Sequence, residues 1–200
     1  MPNELKQQLK KTYYAEFNKN AYIHLRSAFN QDKKNMSALY LLLIYGFNRM
    51  LRFNASGDFN LPVGNVDLNK NVLTALTNYF DFVKNRDLTF FNMDYTNFLS
   101  CHTFKQHDFI YLDPPYLISA SEYNKYWNVE EEKKLLSCLD ELNSQKIKWA
   151  ISNMVSSNTK SNFLFASWMK KYNVIDIKSN YISFNDNSIK SIKEVLITNY

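Results

Sequence analysis

Three short apolar runs constrain this chain most, because each ends abruptly on residues that cannot prolong a strand. LTFFNMDY (88–95) ends at Asp94, DFIYLDPPY (108–116) ends at Asp113, and KIKWAISN (146–153) ends on Ser152 and Asn153. Runs of this length, rich in aromatic and branched residues and closed by turn formers, predict buried strands. Between the last two lies NVEEEKKLLSCLDELNS, an amphipathic pattern with Asn128 placed to cap a helix. Three glutamates follow in its first turn, where the helix dipole favours them. NFLFASWMKKY predicts a further helix, and VIDIKSNYISF with EVLITNY a closing antiparallel pair. Strands alternating with helices predict an α/β layer built on a largely parallel sheet.

The first half of the chain reads differently. Leu5, Leu9, Tyr13 and Phe17 recur at a helical period, and Met36 to Leu51 reads as a second, more buried helix. RFNASGDFNLPVGNVDLNKN (52–71) then holds two of the three glycines, a proline and five asparagines, so it predicts turns and a short hairpin rather than a packed helix. A helix is expected near 72–85. Two regions result: residues 1–87, helical and turn-rich, and residues 88–200, α/β.

With 200 residues and 46% hydrophobic content, the chain can bury a core. A net charge of +5, carried by scattered lysines, suits a polyanionic partner without naming one. Cys101 and Cys138 form no close pair, and His24, His102 and His107 lie in no zinc-ligand spacing, so neither a disulfide framework nor a metal is expected. The longest apolar stretch, ALYLLLIYGF (38–47), is about half of what spans a bilayer, and MPNELKQQLKK has no signal-peptide core. A cytoplasmic protein is the expectation.

Polar residues beyond the carboxyl ends of parallel strands are where open α/β sheets bind ligands. Asp113-Pro114-Pro115-Tyr116 occupies such a place. Proline has no N–H and a fixed φ, so the carbonyls of Asp113 and Pro114 stay out of helix bonding and can face a ligand. A carboxylate, a rigid carbonyl and an aromatic plate together suit a planar base held by its exocyclic amine. Two acceptors on that amine draw its lone pair out of conjugation toward an electrophilic methyl group, which favours the transition state over the ground state. The alternative use of the same residues is a Pro-Pro exit from the sheet, with Asp113 capping the next segment.

FIYLDPPY resembles motif IV of the amino-methyltransferases that use S-adenosylmethionine. In order and spacing, about residues 20–200 resemble the Dam-like DNA adenine-N6 methyltransferases. FNRMLRFNASGDFNLPVG (47–64) is similar to a stretch of that family's DNA-recognition region, MDYTNFL to its acidic strand end, and ISN and EVLITNY to its later strands. The resemblance implies a Rossmann-like class I methyltransferase sheet and methyl transfer from S-adenosylmethionine to an adenine flipped out of duplex DNA. It places Asp113, Pro114, Pro115 and Tyr116 in the catalytic motif, with Asp113 and the Pro114 carbonyl accepting from the amine and Tyr116 stacking on the base. Asp94, Tyr95 and Asp113 would contact the cofactor. Arg49, Arg52, Asn54, Asn60, Tyr123 and Tyr126 would contact DNA, since Arg can pair with guanine and Asn with adenine. Phe53 and Ser56 depart from the pattern frequent in GATC-specific members.

The family also carries a Phe-x-Gly-x-Gly loop ahead of the recognition region, and this chain has no glycine before Gly46. The resemblance thus implies an N-terminally incomplete sheet: a gene fragment, a split enzyme completed by a separate N-terminal polypeptide, or a rearranged sheet. Weak or absent binding of S-adenosylmethionine by the isolated chain is the corresponding expectation. The competing readings are a catalytically inactive DNA-binding remnant, and an amino-methyltransferase acting on cytosine-N4, RNA or protein.

Overall fold

The computed structural model describes residues 3–9, 12–119, 124, 126–158, 160–178 and 192–200. The chain divides into two compact units, Met1–Phe90 and Phe91–Tyr200.

The first unit is helical. α1 (Asn3–Leu9) precedes α2 (Tyr13–Gln31) and α3 (Met36–Tyr45), and α4 (Lys70–Lys84) follows the turn-rich segment. Tyr22 and Phe29 of α2 pack with Ala38 and Leu42 of α3 around Phe59 and Leu61. The Tyr22 hydroxyl shares its one proton between the carbonyls of Leu42 and Leu61, at 3.3 and 3.2 Å, and burial pushes its pKa up to about 12. The second helix ends at Tyr45, short of the expected Leu51. Gly46 leaves the helical conformation and bridges Val63, while Gly64 passes so close that a Cβ there would lie 2.7 Å from the Gly46 carbonyl oxygen. Only glycine permits that approach.

The second unit is an α/β layer. β1 (Phe109–Leu112), α6 (Val129–Ser144) and β2 (Lys148–Ser157) form a parallel crossover, and the short β3 (Lys160–Ser161) folds back on β2. After α7 (Phe163–Trp168), β4 (Asn173–Ile177) and β5 (Ile192–Thr198) complete a sheet of order β1-β2-β5-β4. β5 runs antiparallel to both its neighbours. Among the described residues the sheet is therefore mixed, with one parallel pair, and not largely parallel as the alternation suggested.

The reason lies in the first of the three apolar runs. Residues 88–93 form no strand, and Leu88, Phe90, Phe91 and Met93 are exposed. A strand has little stability without a neighbour to complete its hydrogen bonds. β1 is an outer strand among the described residues, and 88–93 does not pair with it. Asp94 instead caps α5 (Tyr95–Cys101), accepting from the Thr96 amide.

One face of the sheet packs Trp149, Ile151, Val195 and Ile197 against Leu135 and Leu139 of α6. Asn128 caps α6 as expected, accepting from the Glu130 and Glu131 amides. The third glutamate of that turn is not a surface charge. Glu132 is 0% exposed and accepts from Trp127 Nε1 at 2.7 Å, Asn153 Nδ2 at 3.1 Å and Asn162 Nδ2 at 2.8 Å. Asn162 meanwhile caps α7 through the Phe165 amide, so one carboxyl group fastens three segments. A stranded buried donor costs about 1–3 kcal/mol. Glu132→Ala strands three, and is expected to lower stability by about 3 kcal/mol or more in urea unfolding. Glu132→Gln, which keeps one acceptor, should lose less.

Candidate active site

Pairing of β1 with β2 sets the site. In the register Tyr111↔Ala150 and Leu112↔Ile151, the next residue out of β1, Asp113, comes level with Ser152. Ser152 Oγ donates to Asp113 Oδ1 at 2.9 Å, and Tyr111 donates to Ser152 Oγ at 3.1 Å. Asp113 is exposed, and among the described residues its Oδ2 receives no hydrogen bond. The carboxylate is thus anchored by one oxygen and open at the other.

Pro114 and Pro115 carry the chain away from the sheet beside a cavity of about 310 Å³. Tyr95, Phe98, Ile110, Asp113, Pro114 and Trp127 are among its walls. The lining is apolar and aromatic apart from the carboxylate at one side. The Tyr95 phenol is pushed up to about 12, chiefly by burial. Tyr116 turns back over the sheet, and its hydroxyl donates to Glu194 Oε1 at 2.7 Å, with Asp113 Oδ1 at a longer 3.4 Å. Burial and the Glu194 carboxylate hold the Tyr116 phenol above its ordinary value. Past the prolines, Asn124 Nδ2 donates to the Tyr116 carbonyl and to the Ser119 carbonyl at 2.9 Å, closing the turn.

The expected cofactor contacts separate. Tyr95 and Asp113 line the cavity, whereas Asp94 does not, being exposed at the start of α5. The Asp94 carboxylate lies below its ordinary pKa because the Thr96 hydroxyl and amide donate to it. Tyr126 is 86% exposed, and Tyr123 lies outside the described residues.

In the first unit, the segment expected to form a hairpin does so around the bridge Phe53↔Phe59. Three of the DNA-contact candidates build it. Arg52 donates to Asn60 Oδ1 at 2.9 Å and to the Asn60 carbonyl at 2.7 Å, and Asn54 Oδ1 accepts from the Asp58 amide at 2.8 Å. Arg49 is exposed at the edge of an apolar cavity of about 530 Å³ between α3 and α4. Both Asn48 and Arg49 have φ of 53°, a left-handed conformation that non-glycine residues adopt at a cost.

The sequence profile of the D12 class N6 adenine-specific DNA methyltransferases matches residues 1–182. The chain belongs to this family. Type II methyltransferase M.FokI of Planomicrobium okeanokoites is 33% identical over 192 residues, which are 92% of this chain and 29% of that protein. Modification methylase StsI of Streptococcus sanguinis is 35% identical over 194 residues, again 92% and 29%. The DNA adenine methylase of Escherichia coli K12 is 27% identical over 184 residues, covering 88% of this chain and 63% of that one. The chain thus spans less than a third of the first two relatives. The family match takes in α1 and the start of α2, which the resemblance beginning near residue 20 did not include, and it stops ahead of β5.

Glu194, Tyr111 and Trp127 were missed as parts of the site, and Glu132 as the buried group that holds Trp127. A charged residue inside the apolar run EVLIT was the available signal for Glu194, and alternation within FIYL the signal for Tyr111. Arg52→Ala should loosen the 52–60 hairpin by about 1–2 kcal/mol. Faster hydrogen exchange of the Asn60 amide, which donates to the Arg52 carbonyl, is the expected result, with β2 amides unaffected.

Proposed function

We propose that this chain carries the base-handling part of a site-specific adenine-N6 DNA methyltransferase, in a restriction-modification or phage modification system acting in the cytoplasm. The observation that carries this reading is the Asp113 carboxylate, held by Ser152 at Oδ1 and open at Oδ2 beside Pro114 and an aromatic cavity. An exocyclic amine needs two acceptors near its plane to lose conjugation with its ring. Asp113 Oδ2 and the Pro114 carbonyl are the two acceptors of the reading. Tyr116 stacks on the base, which must leave the duplex to reach them. The amine's proton is released to solvent after transfer, since Asp113 is exposed.

S-adenosylmethionine, when bound, supplies the electrophilic methyl group. The residues present fit one end of it. Tyr95, Phe98 and Trp127 offer an apolar and aromatic wall, and Asp113 a carboxylate for a cationic centre. The polar remainder of such a donor calls for close backbone approach, and all three glycines of the chain lie at 46, 57 and 64, outside the second unit. We infer that further strands complete a Rossmann-like sheet beside β1, a separate N-terminal polypeptide being one source of them. The outer edge of β1, unpaired among the described residues, and the exposed Phe109 and Tyr111 support this.

Arg49, Arg52, Asn54, Asn60 and Tyr126 are proposed to face DNA, with Arg52 and Asn60 presented by the hairpin they hold together. Asp113→Ala should abolish transfer of labelled methyl to duplex DNA, with DNA affinity and its salt dependence retained. Unchanged methylation would remove Asp113 from the reaction. Calorimetry of the purified chain with S-adenosylmethionine should show weak or no binding, strengthened by the polypeptide encoded upstream. Salt-dependent DNA binding without methylation in any combination would instead mark an inactive DNA-binding remnant.

A further inference from the structure

Three polar side chains share the sheet face away from α6. Registers Met154↔Glu194 and Ser152↔Leu196 place Glu194 and Ser152 on one face, since directly paired residues point the same way. Tyr111 reaches the same face from β1 through its bond to Ser152. The opposite face, bearing Trp149, Ile151, Val195 and Ile197, is the packed core. Glu194 is 9% exposed, and its carboxyl receives the Tyr116 hydroxyl on this face.

Hydroxyls donate one proton each, and that fixes how this group is wired. Tyr111 gives its proton to Ser152, and Ser152 gives its own to Asp113 Oδ1. The Tyr116 hydroxyl lies 2.7 Å from Glu194, 3.4 Å from Asp113 and within hydrogen-bond reach of Ser152, whose own proton goes to Asp113; the short bond to Glu194 takes the Tyr116 proton. Glu194 thereby does two things. It pins the far end of the Tyr116 ring, and it keeps the Tyr116 proton off the carboxylate that must accept from the amine.

We propose that Glu194 is a positioning residue for the transfer, fixing through the Tyr116 hydroxyl the ring on which the target base stacks and leaving Asp113 free to accept from the amine. Ser152 serves the same end by anchoring Asp113 Oδ1, so that Oδ2 faces the base. Neither residue touches the reacting atoms. This assignment rests on the methyltransferase reading of the site.

The test uses the full chain, supplied with its upstream polypeptide where activity requires it, and the variants Glu194→Ala, Glu194→Gln, Tyr116→Phe and the double variant Glu194→Ala/Tyr116→Phe. Glu194→Ala should lower kcat by about 10- to 100-fold, as expected when a positioned group drifts, with KM for DNA little changed. Glu194→Gln keeps an amide oxygen for the tyrosine and should recover most of the loss. In the Tyr116→Phe background the tether is already gone, so Glu194→Ala should add nothing. Independent, multiplying losses would overturn the proposal, as would failure of the Gln variant to do better than Ala. A second readout needs no activity. With ¹³Cζ-labelled tyrosine, the Tyr116 resonance should titrate above the ordinary tyrosine range in the parent and fall back toward it in Glu194→Ala. A resonance indifferent to Glu194 overturns the tether, while absence of methyl transfer from the parent under all conditions overturns the methyltransferase reading alone.

Discussion

A carboxyl group with no access to water depends on the protein for every hydrogen bond it makes, and Glu132 is such a group in the second unit. Its three donors come from Trp127 at the end of the loop after Pro115, from Asn153 in β2, and from Asn162 at the start of α7. Each donor is also constrained elsewhere: Asn162 caps α7, Asn153 Oδ1 accepts from the Met154 amide, and Trp127 walls the cavity. An unpaired polar group in a low-dielectric interior is costly, so the arrangement is held as a set. The helix, the inner strand β2 and the loop that carries the candidate site are thereby fixed to one another at the place where β2 turns polar.

From that fixed frame the site follows in short steps. β2 is an inner strand, and parallel pairing with β1 brings Asp113 to the level of Ser152. Antiparallel pairing with β5 brings Glu194 beneath Tyr116. The carboxylate, its anchor and the tyrosine tether therefore come from three strands and one loop. On the proposed reading these groups hold the target base and its amine, and their hydrogen bonds give a physical account of how that would be done.

Among the described residues, the same frame leaves β1 with an open edge and residues 88–93 without a strand to pair with. Hydrophobic pattern alone made LTFFNMDY a strand as persuasive as FIYL. What separated them was a neighbour: FIYL has β2 beside it, and LTFF has none among the described residues. The expected long helix through Leu51 failed for a comparable reason, since the approach of Gly64 to Gly46 turns the chain after Tyr45. Periodicity reports which face of an element is apolar, and not whether a partner arrives to cover it.

By itself the sequence determined the local units: the capped helix after Asn128, the strand that stops at Asp113-Pro114-Pro115-Tyr116, the turn-rich hairpin around Gly57, and the order of motifs that marks the family. These depend on residues near in the chain, where propensity, capping and proline geometry act directly. Only the tertiary structure decided that Glu132 is an interior hub while Glu130 faces solvent and Glu131 is half-buried, that Asp94 caps a helix away from the cavity, that Arg52 and Asn60 bind each other, and that Glu194 meets Tyr116 across 78 positions. Burial and the choice of hydrogen-bond partner belong to strand register and chain crossing, which bring together residues whose separation in sequence carries no signal of the meeting.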